Sequence, residues 1–137
     1  MYEKPFSLEI IAPDKVVYRN EATSLTAPGV DGLFQVLFNH APLLAQLGTG
    51  PMTVKSVEGK DVDFAVSGGF VEVRNNQVVV LVDTVEAAEE IDVARANAAK
   101  DRAQDRLHHR TRDIDVERAQ AALMRALNRI RVAGSSA

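Results

Sequence analysis

Six arginines pose the chemical question in this chain. Arg95, Arg102 and Arg106 step by seven and then four, and Arg118, Arg125 and Arg129 repeat the step farther on. At 3.6 residues per helical turn each set falls within roughly 40° of arc. A guanidinium is always charged and offers a planar fork to carboxylate or phosphate, so two such rows brought together form an anion-binding face. A solvated helix surface laced with acid–base pairs is the alternative, and spacing alone leaves both open. Asp92, one turn before Arg95, is positioned in sequence to orient that guanidinium or to accept a ribose hydroxyl.

Other reactive groups are sparse. The chain has no cysteine, which excludes disulfides and thiolate metal sites. His108 and His109 are adjacent, and neighbouring helical residues point about 100° apart, so joint metal ligation is not expected. There is no phosphate-binding P-loop and no GxGxxG, HExxH or GxSxG pattern. No nucleophile, base and metal constellation is visible either, so the chain is not expected to be an enzyme. Ser67-Gly68-Gly69 has the composition of an anion nest, but no helix follows it directly and a structural corner is the simpler reading.

The arginines belong to a segment with its own grammar. Residues 1–85 carry six Lys/Arg against ten Asp/Glu; residues 86–137 carry ten against nine, and nine of those ten bases are arginine. All five prolines lie at or before Pro51, and no glycine or proline separates Phe70 from Ala133. The first part alternates short apolar runs with turn residues: SLEIIA, VVYR, SLTAP, LFQVLF, MTVKSV, DVDFAV, FVEVR and QVVVLV all read as strands. Asn75-Asn76 is a two-residue hairpin signal, Glu58-Gly59 a weaker one, and Gly68-Gly69 suggests a bulge or sharp corner. Closely spaced strands without intervening helices predict an antiparallel sandwich or flattened barrel over residues 1–85.

From Glu86 onward the pattern is helical, rich in Ala, Arg, Glu and Gln. Acids crowd its start at Glu86, Glu89, Glu90 and Asp92, where the helix dipole favours them. HHRTRD breaks the run, Asp113 is a candidate N-cap for a second helix through Ile130, and Gly134 marks its end. Two helices in residues 86–137 predict an antiparallel hairpin. Its apolar positions are thin: Ile91, Ala94, Ala98 and Leu107, then Ala119, Leu123, Leu127 and Ile130. Alanine buries little area, so such a hairpin would be held loosely against the strands.

The chain lacks a run of 18 apolar residues, and MYEKPFSLEII lacks the basic start and apolar stretch of a secretory signal. Its acidic balance, few aromatics and acids interleaved with the arginines argue against a nucleic-acid-binding module.

Several stretches together resemble the epsilon subunit of the bacterial F-type ATP synthase: FNHAPLLAQLGTGPM, AVSGGFVEV and the C-terminal hairpin, in that order, from about Phe6 to Val132. The resemblance implies a non-catalytic rotor subunit. Its sandwich would bind the gamma subunit and rest on the c-ring, meeting the membrane only through that ring, on the cytoplasmic face of the bacterial inner membrane. Its hairpin would either fold on the sandwich or extend along gamma toward the catalytic beta subunits and block ATP hydrolysis. Some such hairpins bind ATP through a motif that stands here as Ile91-Asp92-Val93-Ala94-Arg95-Ala96, with Glu86, Arg102, Arg125 and Arg129 at accessory positions. No cofactor is required; ATP, with or without Mg²⁺, would be a regulatory ligand. For the c-ring and gamma contact the resemblance points to His40 and Pro42. The acid usual in the preceding stretch is absent, since Gly32-Leu33-Phe34-Gln35-Val36 has leucine there, and Asp31 is the nearest substitute. The alternative within the same resemblance is a plain rotor linker with an inert hairpin.

Overall fold

A computed structural model describes residues 3–109, 111 and 114–135. Six strands come first: β1 (Phe6–Ala12), β2 (Lys15–Gly29), β3 (Gly32–Val36), β4 (Leu43–Ser56), β5 (Asp61–Arg74) and β6 (Gln77–Ala87). A short 3-10 turn, Ala88–Glu90, leads to α1 (Val93–His108) and α2 (Val116–Ser135). Neighbouring strands run in the order β1-β6-β5-β4-β2-β3, and β1 also pairs with β2, closing the sheet on itself. This is the flattened β body followed by a helical hairpin that the residue pattern predicts.

The strands are fewer and longer than the apolar runs suggest. VVYR and SLTAP form one strand, because β2 pairs with β1 through its first half and with β4 and β3 through its second. An irregularity between Ala22 and Ser24 marks the handover, and the buried Thr23 hydroxyl there donates to the Lys55 carbonyl at 3.3 Å. LFQVLF is a strand only as far as Val36; Leu37 and Phe38 are exposed beyond it. One pairing departs from the antiparallel expectation, since β1 and β6 run parallel.

Asn75 and Asn76 both have positive φ, 52° and 59°, which closes the β5–β6 hairpin in two residues between the paired Arg74 and Gln77. Asn76 also ties three segments together. Its carbonyl accepts from the Ser7 N–H, its side-chain oxygen from the Asn39 N–H, and its amide donates to the Pro5 carbonyl.

Gly68-Gly69 is not a bulge. The pairing of β5 with β4 and with β6 continues through it without a shift. What changes is the face turned to the core. In β5 the inward residues are Phe64 and Val66 before it, then Val71 and Val73 after it. β4 changes parity in the same row, from Leu47 to Met52 and Val54, and β6 from Val82 to Ala87. A strand that alternates faces cannot change parity without an unusual backbone step. Gly68 and Gly69 supply it with φ of 75° and 134°, and a Cβ on Gly69 would sit 2.0 Å from the Leu81 carbonyl oxygen.

The core of the body is built of large aliphatic and aromatic side chains, among them Phe6, Leu8, Ile10, Leu25, Val54, Val71 and Val80, all buried. Each contributes about 1.5–3 kcal/mol of transfer free energy. The hairpin is built differently. Its buried residues Ala96 and Ala103 on α1 and Ala119 and Ala126 on α2 recur every seven positions, so the helices approach closely on methyl groups. Ala94, Ala98 and Leu127, expected on the apolar side, are exposed instead. The apolar rows are phased by the alanines, two residues off the expected stripe on α1.

The helix boundaries also differ from expectation. Glu86 lies in β6, opposite Ala65, because the strand runs on to pair Ala87 with Phe64. Asp92 is the N-cap of α1, its Oδ1 accepting from the Arg95 N–H at 3.1 Å. On α2 the same bond comes from Asp115, whose Oδ1 accepts from the Arg118 N–H at 3.0 Å. The expected cap, Asp113, lies outside the described residues. Gly134 falls inside α2 and does not end it.

Candidate functional site

The hairpin rests on the row where the strands change face, and a cleft of about 620 Å³ lies between them. Its floor is Thr49, Ser67 and Thr84, which are direct register partners across β4, β5 and β6. Its walls are Arg102, Ala103 and Arg106 from α1 and Arg125, Ala126, Asn128 and Arg129 from α2, with Glu86 at the end of β6. The 7-then-4 spacing therefore brings four of its six arginines to one cavity. Arg95 and Arg118, each at the first turn of its helix, are not among the lining residues.

Asn128 and Arg129 link α2 to the strands through polar side chains. The Asn128 side-chain amide donates to the Gly50 carbonyl at 2.9 Å. The Arg129 guanidinium donates twice to Glu86, Nε to Oε1 at 2.7 Å and Nη2 to Oε2 at 3.1 Å. Beside them Ala65, Ala88, Ile91 and Val132 form a small apolar cluster, with Ala133 against it. Arg102, Arg106 and Arg125 make no ion pair among the described residues. Four guanidinium groups against one carboxylate give the cleft an excess of positive charge, at a volume in the range of small-molecule sites.

Of the residues singled out in sequence, Glu86, Arg102, Arg125 and Arg129 meet in this cleft. Ile91, Asp92, Arg95 and Ala96 do not line it. Ile91 anchors the small apolar cluster, Asp92 caps α1, and Ala96 is buried in the interhelical contact. Arg95 is exposed at the first turn of α1. Asp92 thus serves the Arg95 backbone N–H, not its guanidinium. Sequence reasoning missed the hydroxyl row of Thr49, Ser67 and Thr84, which carries no signal until strand register is known. It had Arg106 in the stripe but not in the ligand set, and it passed over Asn128.

Asp31 and His40 line a second groove, on the β2–β3 turn and the start of β4, together with Val30, Leu33, Phe34 and Leu44. Pro42 immediately precedes β4 and is exposed. The His40 Nδ1 lies 2.7 Å from the Ala41 carbonyl. Val30, Leu33 and Leu44 are 55%, 63% and 71% exposed, so the rim of this groove is apolar where the sequence lacks an acid. Among the described residues no helix is long and apolar enough to cross a membrane.

Residues 5–88 match the family model for the ATP synthase delta/epsilon chain β-sandwich domain, and residues 89–134 match the one for its long α-helix domain. The ATP synthase epsilon chain of Pelotomaculum thermopropionicum is 52% identical over 134 residues, covering 98% of this chain and 99% of the relative. That of Syntrophomonas wolfei is 44% identical over 133 residues, covering 97% of each. Among solved structures, a chain of the Euglena gracilis mitochondrial ATP synthase (OSCP/F1/c-ring) superposes with a TM-score of 0.82 at 20% identity, over 96% of this chain and 81% of that one. A chain of the Tetrahymena thermophila mitochondrial ATP synthase central stalk and c-ring superposes at 0.60 and 17% identity, over 99% and 98%. With both halves matched in order and relatives similar along nearly their whole length, the chain belongs to the ATP synthase epsilon chain family, non-catalytic subunits of the ATP synthase.

Proposed function

We propose that this subunit works as a regulated linker of the rotor. The sandwich, residues 1–85, holds the gamma subunit and sits on the c-ring, with Asp31, His40 and Pro42 at the contact, on the cytoplasmic face of the inner membrane. The hairpin, residues 86–137, is the mobile part. Folded, it binds ATP between the helices and the β body. Extended, it turns its arginines to carboxylates of the catalytic beta subunits and blocks hydrolysis. A ligand that binds one arrangement better shifts the population toward it, so within the assembled enzyme high ATP keeps the brake folded, and depletion lets the beta–gamma contacts draw it out. Linkage then requires the beta–gamma assembly to weaken ATP binding by the factor with which ATP weakens extension.

The observation that carries this reading is the convergence of Arg102, Arg106, Arg125 and Arg129 over one carboxylate in a cleft of about 620 Å³. A polyphosphate offers bidentate acceptors to several of these forks at once. The hydroxyls of Thr49, Ser67 and Thr84 on the floor suit a ribose or base. Calorimetric titration of the full chain with ATP, with and without Mg²⁺, tests it. Saturable binding is expected, and Arg125→Ala should weaken it by about tenfold.

A second reading, the linker with an inert hairpin, has its own support. Within the Ile91–Ala96 motif, Ile91, Asp92 and Ala96 already serve as anchor, cap and packing residue. No heat at millimolar ATP would leave only the inhibitory role. Removal of residues 86–137 from the assembled enzyme separates brake from linker: the regulated linker predicts faster ATP hydrolysis, the inert one no change.

A further inference from the structure

α2 is the helix that meets β4, β5 and the Ala88–Glu90 turn, and α1 packs on α2. The seating of the whole hairpin therefore passes through a few contacts of α2. The apolar part is small: Ala65, Ala88, Ile91 and Val132, two alanines and two β-branched side chains. The Asn128–Gly50 bond is a single neutral one. The remaining contact is of another kind. Glu86 and Arg129 are bidentate, charge-assisted and partly shielded, their side chains 32% and 28% exposed. Such pairs are roughly twice as strong as neutral hydrogen bonds and fix orientation as well. Among the described residues Glu86 is the one carboxylate lining the cleft, against Arg102, Arg106, Arg125 and Arg129. Without it, four like charges would face each other with no counter-ion.

We propose that Glu86 is a built-in latch: its ion pair with Arg129 seats the hairpin on the sandwich when no ligand fills the cleft, and its loss lifts α1 and α2 together. Glu86 takes the part of a resident anion. A bound polyanion replaces it as counter-ion, so a chain without the Glu86 charge docks its hairpin only when such a ligand is supplied. The docked geometry alone carries the latch. Only the rescue by a ligand rests on the nucleotide reading given above.

The test uses the full chain without nucleotide. Spin labels at Lys60→Cys and Gln120→Cys report the distance between body and hairpin, and hydrogen exchange reports the Val132 and Val71 amides separately. The parent chain should give one short distance. Glu86→Gln, Glu86→Arg and Arg129→Glu should each lengthen or broaden it and speed exchange at Val132 by about tenfold, with Val71 unchanged. The exchanged pair, Glu86→Arg with Arg129→Glu, should restore the parent distance. Single variants that keep the parent distance and exchange overturn the latch. So does an exchanged pair that stays lifted, because the losses would then not belong to the pairing. Addition of ATP or inorganic tripolyphosphate to Glu86→Gln should restore docking. Lifting that neither anion reverses would leave the latch standing and count against the nucleotide reading.

Discussion

The β body and the helical hairpin solve the packing problem in opposite ways. The body buries Phe6, Leu8, Ile10, Leu25, Met52 and a run of valines, each removing a large apolar surface from water. The hairpin buries Ala96, Ala103, Ala119 and Ala126, and its contacts with the body include a small apolar cluster and the side-chain links of Asn128 and Arg129. The first arrangement is expensive to open. The second costs little, because a methyl group buries little and an ion pair can find another partner. One chain thus carries a heavily packed part and a thinly seated part. Their border is the row in which β4, β5 and β6 change face, and the cleft lies along it.

Four substitutions sharpen or break this contrast, taken from the largest effect downward. Leu8→Ala opens a cavity at a fully buried site of the body and should cost about 3 kcal/mol. Urea unfolding should show the loss in the main transition, together with faster exchange at Val71. An unchanged midpoint would mean that the body is less tightly packed than its burial implies. Ala126→Leu forces a large side chain into a buried alanine position of α2 and should cost about 1–3 kcal/mol. The effect should be confined to exchange in α1 and α2; if the body loosens equally, the two parts are one cooperative unit and the contrast fails. Asp92→Ala removes one N-cap bond and should cost about 1 kcal/mol, seen as fraying at the start of α1 by amide exchange. Asp115→Ala should do the same at the start of α2.

Much of this was legible in the residues. The change of composition near Val85 announced the two architectures, and Asn75-Asn76 announced a hairpin that forms as read. Arginine spacing puts Arg102 on one helix face and Arg125 and Arg129 on another, and the antiparallel hairpin brings the two together. The misreadings have physical causes. Glu86 was assigned to a helix because an acid followed by alanines and glutamates suits a helix start, whereas pairing with Ala65 keeps it in β6. The apolar stripe on α1 was misphased because alanines fill nearly every phase of that helix, and only the partner helix selects among them. Asp92 caps α1 here, and local sequence does not distinguish a cap from a ligand, since a carboxylate before a helix suits both.

What the sequence determined by itself was class and charge: apolar runs with turn residues must make strands, an alanine- and arginine-rich run must make helices, and seven-then-four spacing must gather guanidinium groups on one side. Those are local consequences of periodicity and propensity. What only the tertiary structure decided was partnership. Register set Thr49, Ser67 and Thr84 side by side, the parity change at Gly68-Gly69 runs in the same row as that floor, and docking of α2 gave Arg129 its carboxylate. Each of these joins residues far apart in the chain, and nothing in a local stretch records which distant surface it will meet.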